Sequence, residues 1–109
     1  MKRRHFNHFN LAGFSYYNGP VVFNDLKIGT ELTLIPEPDN GYDAKAVAIY
    51  YGEDKLGFIP KGENDHISKL LEMGYNPFEV RIQRIDPHAR PEEQVQVIVY
   101  LKEAEGSKV

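Results

Sequence analysis

A chain of 109 residues is one domain's worth of protein, long enough to close a single hydrophobic core and too short for a second. Hydrophobic residues make up 41% and charged residues 27%, the proportions of a globular protein, and the absence of cysteine excludes disulfides, thiolate catalysis and cysteine-ligated zinc or iron–sulfur centres. A net charge of -3 argues against a general polyanion binder, which carries a basic excess.

No apolar run is long enough for a membrane span, and the basic start Met1–Asn10 has no apolar segment behind it, so neither a membrane anchor nor a secretory signal is expected and the cytoplasm is the expected location. The charge is unevenly spread. Of 13 basic residues, three (Lys2, Arg3 and Arg4) open the chain, leaving 10 against 16 acidic residues. A second basic group, Arg81, Arg84, His88 and Arg90, contains Asp86 alone among acids. A short charge run is most often a solvated edge.

Two-residue periodicity dominates the chain. Residues 5–14 have a strand-like mixture of aromatic, aliphatic and short polar side chains, with residues 1–8 read as a basic arm or the start of this strand. Residues 31–35 predict a second strand, ended by Pro36 and Pro38, and residues 46–51 a third. Gly52-Glu53-Asp54 predicts a tight turn into a hairpin partner over 55–59, stopped by Pro60. The period then changes. Asn64 or Asp65 can cap a helix, Ile67, Leu70 and Leu71 recur at helical spacing, and Gly74 stands where a left-handed residue closes the last turn.

Beyond it, Phe78, Val80 and Ile82 alternate with Glu79, Arg81 and Gln83, and residues 94–101, with Val95, Val97 and Val99, pair back after the Pro87–Pro91 turn region. Residues 102–109 read as a frayed, charged tail. The fold expected is mainly β: about six strands with one to two short helices, forming a small, partly open barrel.

Four clusters exceed what such a barrel needs. Tyr16 and Tyr17 are adjacent, so on a strand they face opposite ways and at most one enters the core; the other is a rim tyrosine or a platform for a stacked base. Glu37 to Ala46 is a loop rich in fixed polar groups, in which Asn40-Gly41 makes a turn and Asp43 caps a short helical turn or accepts a hydrogen bond from a ligand hydroxyl. Leu56 to Pro60 delivers Lys61 to the surface. The fourth cluster is the basic set around Arg81 and Arg84.

Those clusters, in that order, resemble the HIRAN family. The resemblance is carried by Leu11-Ala12-Gly13-Phe14-Ser15-Tyr16-Tyr17, Gly29-Thr30-Glu31-Leu32-Thr33-Leu34, Glu37-Pro38-Asp39-Asn40-Gly41-Tyr42-Asp43-Ala44-Lys45-Ala46-Val47 and Lys55-Leu56-Gly57-Phe58-Ile59-Pro60, and it spans residues 9–101. It implies a modified oligonucleotide-binding β-barrel. In eukaryotic members the module is fused to helicase-like ATPases, binds the free 3′-hydroxyl end of single-stranded DNA and serves repair of stalled replication forks.

Carried over by position, the DNA-binding set is Ser15, Tyr16, Tyr17, Asn40, Tyr42, Asp43, Phe58 and Lys61, with Asp43 accepting from the terminal 3′-hydroxyl. Two positions depart from the family pattern. An arginine before the paired tyrosines is Ser15 here, and a basic or imidazole residue after the fourth-strand glycine is Phe58. Each absent phosphate contact weakens binding and lowers its salt dependence; Arg81, Arg84 or the basic start are candidate substitutes.

The function expected is therefore a non-catalytic DNA-binding module, with single-stranded 3′ ends and a helicase-like ATPase in trans as partners. The alternative is a protein-interaction module using the same aromatic groove or a β-edge. No cofactor is expected. His5, His8, His66 and His88 show no metal-ligand spacing, and His5 and His8, three apart on a strand, face opposite sides. Without a phosphate-binding loop or nucleophile elbow, a nucleotide- or metal-dependent hydrolase is the weakest reading.

Overall fold

The computed structural model describes residues 2–104. Six strands form one open antiparallel sheet: β1 (Arg3–Asn10), β2 (Glu31–Pro36), β3 (Val47–Tyr51), β4 (Asp54–Phe58), β5 (Phe78–Ile85) and β6 (Val95–Lys102), in spatial order β1-β6-β5-β2-β3-β4. Two short helices, α1 (Gly19–Val22) and α2 (Asp65–Glu72), complete it. No helix among the described residues is long and apolar enough to cross a membrane.

The alternations of β2, β5 and β6 resolve as expected, with Leu32, Leu34, Phe78, Val80, Ile82, Val95, Val97 and Val99 all in the core. The β3–β4 hairpin turns at Gly52-Glu53, as its composition predicts. Helix α2 ends in a Schellman motif: Tyr75 N donates to Leu70 O at 2.9 Å and Gly74 N to Leu71 O at 3.1 Å, with Gly74 at φ +87. Its buried face is narrower than the spacing suggests, because Ile67 is buried and Leu71 partly so, whereas Leu70 is exposed.

Three features differ from the sequence reading. First, β1 runs from Arg3 to Asn10 and so stops short of residue 14, where the strand-like composition ends. Gly13 at φ +75 ends the extended run, and Phe14–Tyr16 coils into a 3-10 turn that buries Phe14. Tyr16 and Tyr17 therefore lie outside any strand, and the opposite-face argument does not govern them. Second, β1 carries a bulge at Phe6, between His5 opposite Tyr100 and Asn7 opposite Val99. The extra residue resets the alternation, so His5 and His8 meet on one side, His5 Nε2 lying 2.9 Å from His8 Nδ1. Third, β6 extends through Lys102, and Ala104 is the last described residue; the remainder of the expected frayed tail, residues 105–109, lies outside the described residues.

The sheet does not close, but its two ends are pinned. Ala12 and Phe58 form an isolated antiparallel bridge, each N–H reaching the other's carbonyl at 2.9 Å. Gly57 makes this approach possible: a Cβ there would sit 2.2 Å from the Ala12 carbonyl oxygen and 2.3 Å from a Leu11 methyl. The bridge sets Tyr17, Phe58 and the β2–β3 loop around one space.

Candidate functional site

That loop is built from its own polar side chains. Glu37 N donates to Ala46 O at 2.8 Å, closing the loop's base as a continuation of the β2–β3 pairing. Within it, the Asn40 carboxamide oxygen accepts from the backbone N–H groups of Tyr42 at 2.9 Å and Asp43 at 3.1 Å. Asp43 Oδ1 accepts from Lys45 N at 2.9 Å, the local cap its position suggested.

Two anchors from outside hold this arrangement. Asn40 Nδ2 donates to Glu37 Oε1 at 3.2 Å, and Glu37 Oε2 accepts from Lys55 Nζ, on β4, at 2.7 Å. Lys55 Nζ in turn lies 4.9 Å from the Tyr17 ring centre and 4.4 Å from that of Phe58. The second anchor is Asn64, which donates from Nδ2 to Asp43 Oδ2 at 2.9 Å.

A concavity of about 270 Å³ opens between these elements, lined by Tyr17, Asn40, Tyr42, Asp43, Phe58 and Lys61 together with the apolar Ala12, Ala46 and Ile59. Tyr17 meets Phe58 edge to face at 5.6 Å between ring centres, so the two form one aromatic wall. Tyr17 is 38% exposed and Tyr42 95%, which leaves both with ring surface available for stacking.

The Asn64 amide, followed by the Lys45 N–H, holds the Asp43 carboxyl below the usual aspartate range, against the opposing effect of burial and with help from Lys61 and Lys45 charge. Burial raises the Glu37 carboxyl, but the hydrogen bonds from Lys55 and Asn40 and the Lys55 charge outweigh it and leave the group lowered. Both groups are anionic at neutral pH. Lys61 is the one cation lining the concavity, and no ion pair within 4.0 Å among the described residues engages it.

Six of the ten residues singled out in the sequence thus meet in one place, and four do not. Ser15 and the 84% exposed Tyr16 face a separate concavity with Pro91 and Glu92. Arg81 is bound to Glu79 at 3.1 Å, to the Gly29 carbonyl at 3.0 Å and to Glu31 at 4.0 Å, and Arg84 lies 3.7 Å from Asp86. Arg3, from the basic start, is likewise paired with Glu79 and stacked on Tyr100. These arginines are spent on the outer face of the sheet.

Glu37, Lys55 and Asn64 carry weight that sequence reasoning missed. The first two lay inside quoted motifs with no role attached, and the third read as a helix cap. No group of three or more His, Cys, Asp or Glu able to hold a metal ion exists among the described residues, and the paired His5 and His8 stand without a third.

An open six-stranded antiparallel sheet, pinned end to end beside an aromatic-walled and polar-rimmed concavity, defines a small ligand-binding β-domain. The family model of the HIRAN domain matches residues 6–103, and the chain belongs to that family. A crystallised protein from Lactobacillus plantarum shares the fold at a TM-score of 0.78 with 18% identity, covering 92% of this chain and 95% of that one. The HIRAN domain of human HLTF shares it at a TM-score of 0.63 with 15% identity, covering 93% of this chain and 81% of that one. Comparison with curated protein sequences finds no match. The HIRAN domain is a binding module rather than a catalytic one, and membership supports a nucleic-acid-binding role for this chain.

Proposed function

We propose that this protein binds single-stranded DNA at a free 3′-hydroxyl end, using the concavity beneath the β2–β3 loop. The observation that carries the reading is the convergence of an aromatic wall, Tyr17 and Phe58, with an anionic acceptor, Asp43, and an uncommitted cation, Lys61, around one space. A terminal base stacks on the wall or on Tyr42. The sugar hydroxyl donates to Asp43, and the phosphate before it meets Lys61. Asn40 has its carbonyl and one amide hydrogen engaged internally, which leaves one N–H for the sugar or base.

A 3′-phosphate in the same place would set two anions together, so the site distinguishes ends by charge. In this reading the protein works in the cytoplasm on DNA ends that arise in repair or replication-fork processing, with a helicase-like ATPase as a partner in trans.

A second reading rests on the same structure. Apart from the Ala12–Phe58 bridge, β1 and β4 are edge strands, and one cation at the concavity is few for a nucleic-acid site. Both suit a peptide that stacks on the aromatic wall or adds a strand.

Fluorescence anisotropy separates the two. A labelled single strand is titrated with protein at two salt concentrations, once with a 3′-hydroxyl and once with a 3′-phosphate. Tighter binding of the hydroxyl end, weakening as salt rises, is the expected result. Equal binding of both ends would sink the end-recognition reading, and no binding would turn attention to peptide partners.

A further inference from the structure

Asn64 occupies the position that caps α2, where an Asn side chain ordinarily accepts from the first backbone N–H groups of its helix. It makes no such bond. Its amide instead reaches 21 residues back in sequence to Asp43 Oδ2, at 2.9 Å, from a site where the residue is 3% exposed. A buried amide that forgoes its local role for a carboxylate on a ligand-lining loop is positioned for that carboxylate.

The clamp is doubled beside it, since Lys45 Nζ lies 3.1 Å from Oδ1 of Asp65, the first residue of α2. Asp43 is thereby held at both oxygens, Oδ1 by Lys45 N and Oδ2 by Asn64. Each oxygen keeps one lone-pair direction, and the residue lines the concavity.

We propose that Asn64 is a positioning residue for end selection, holding the Asp43 carboxylate as an acceptor that a terminal hydroxyl satisfies and a terminal phosphate does not. The inference rests on the 3′-end reading above and assigns its selectivity to a residue outside the concavity. The anionic state of Asp43, favoured first by this same amide, suits the role.

The test is Asn64→Asp, with Asn64→Ala beside it. Aspartate caps a helix as well as asparagine and has nearly its volume, so the start of α2 is kept while a second carboxylate is set against Asp43. Alanine removes the donor without adding charge. For each folded variant, checked by its melting curve, two quantities are read: the ratio of dissociation constants for a six-nucleotide oligothymidylate ending in a 3′-phosphate or a 3′-hydroxyl, and the Asp43 carboxyl titration followed by carbon-13 NMR.

The expected result is a ratio reduced by about tenfold in Asn64→Ala, from the lost charge-assisted bond that holds the carboxylate in place, together with an Asp43 midpoint moved upward in both variants. A double variant, Asn64→Asp with Asp43→Asn, reverses donor and acceptor and is expected to recover the melting temperature without the end preference. Folded variants that keep the wild-type ratio, or lose it with the Asp43 midpoint unmoved, overturn the assignment to Asn64 and leave the 3′-end reading standing. A wild-type protein with no preference between the two ends overturns both.

Discussion

Two concave regions of this molecule, each lined by an arginine or lysine and an aromatic ring, differ in how much capacity is left over. The outer face of the sheet holds the larger of the two, about 410 Å³, with Arg3, Ile28, Arg81, Ile98 and Tyr100 among its lining. Its charges are consumed internally: Arg3 and Arg81 share Glu79, Arg81 also reaches Glu31 and the Gly29 carbonyl, and Arg3 covers the Tyr100 ring.

The concavity under the β2–β3 loop is smaller, yet no ion pair among the described residues engages Lys61, Asp43 retains lone pairs, and the rings of Tyr17 and Tyr42 are open. Volume and the presence of arginine are poor guides to a binding site. Unspent hydrogen-bonding and stacking capacity, held rigid by partners behind it, is the better guide.

The contrast can be broken in several places. The largest effect is expected at Gly57, where valine would place side-chain atoms against the Ala12 carbonyl and unpin the wall of the concavity; overpacking of this kind costs about 3 kcal/mol, read by urea denaturation, and DNA binding should fall with it. Tyr17→Ala removes a stacking surface and half of the aromatic wall, and should weaken single-strand binding roughly tenfold to a hundredfold while the protein stays folded. Lys61→Gln sharpens the electrostatic side of the comparison. One phosphate contact fewer should make the slope of log affinity against log salt shallower by about 0.7. Arg81→Gln is the control on the other face, where single-strand affinity should change by less than about twofold, as for an independent site.

Acidity gives the smallest and most diffuse effect. The carboxyls of Glu37, Asp43, Asp65 and Glu79 are all lowered in the folded protein, so the unfolded chain takes up protons first as pH falls. Their contribution to stability is complete above the ordinary carboxylate range, about pH 4 to 4.5, and is lost as pH drops below it. The melting temperature should hold between pH 6 and 8, roughly, and decline below about pH 4.5. A decline beginning near neutral pH would contradict this assignment to the carboxyls.

Where alternation or helical spacing is regular, the fold is legible from residues alone: the valines of β6, the alternation of β5 and the Gly74 stop of α2 all stand where the pattern puts them. What escapes the pattern is set by single residues whose effect is tertiary. The bulge at Phe6 has no local signature, yet it turns His5 and His8 from opposite faces to one. Gly13 ends β1 early, and with it goes the strand argument for the paired tyrosines, of which Tyr17 joins the concavity and Tyr16 does not.

The candidate site divides similarly. Asn40, Tyr42 and Asp43 are visible as an unusually polar loop because their partners are close in sequence. Arg81 and Arg84 look available because a tally of local charge sets few acids against several bases. Two-residue spacing on a strand, however, puts Glu79 on the same face as Arg81, and Asp86 follows Arg84 closely, whereas Glu31 and the Gly29 carbonyl reach Arg81 only across the sheet. Asn64 misleads most directly, since its residue type and position spell a helix cap while its amide serves the loop.

The central claim is that the loop concavity, and not the larger outer hollow, receives the DNA end. Backbone amide NMR during titration with a short single strand bearing a 3′-hydroxyl tests it most directly. The account predicts that the shifted resonances centre on Tyr17, Tyr42, Asp43, Phe58 and Lys61, with Arg3, Arg81 and Tyr100 unmoved. Shifts centred on Arg3, Arg81 and Tyr100, or no shifts anywhere, would contradict it.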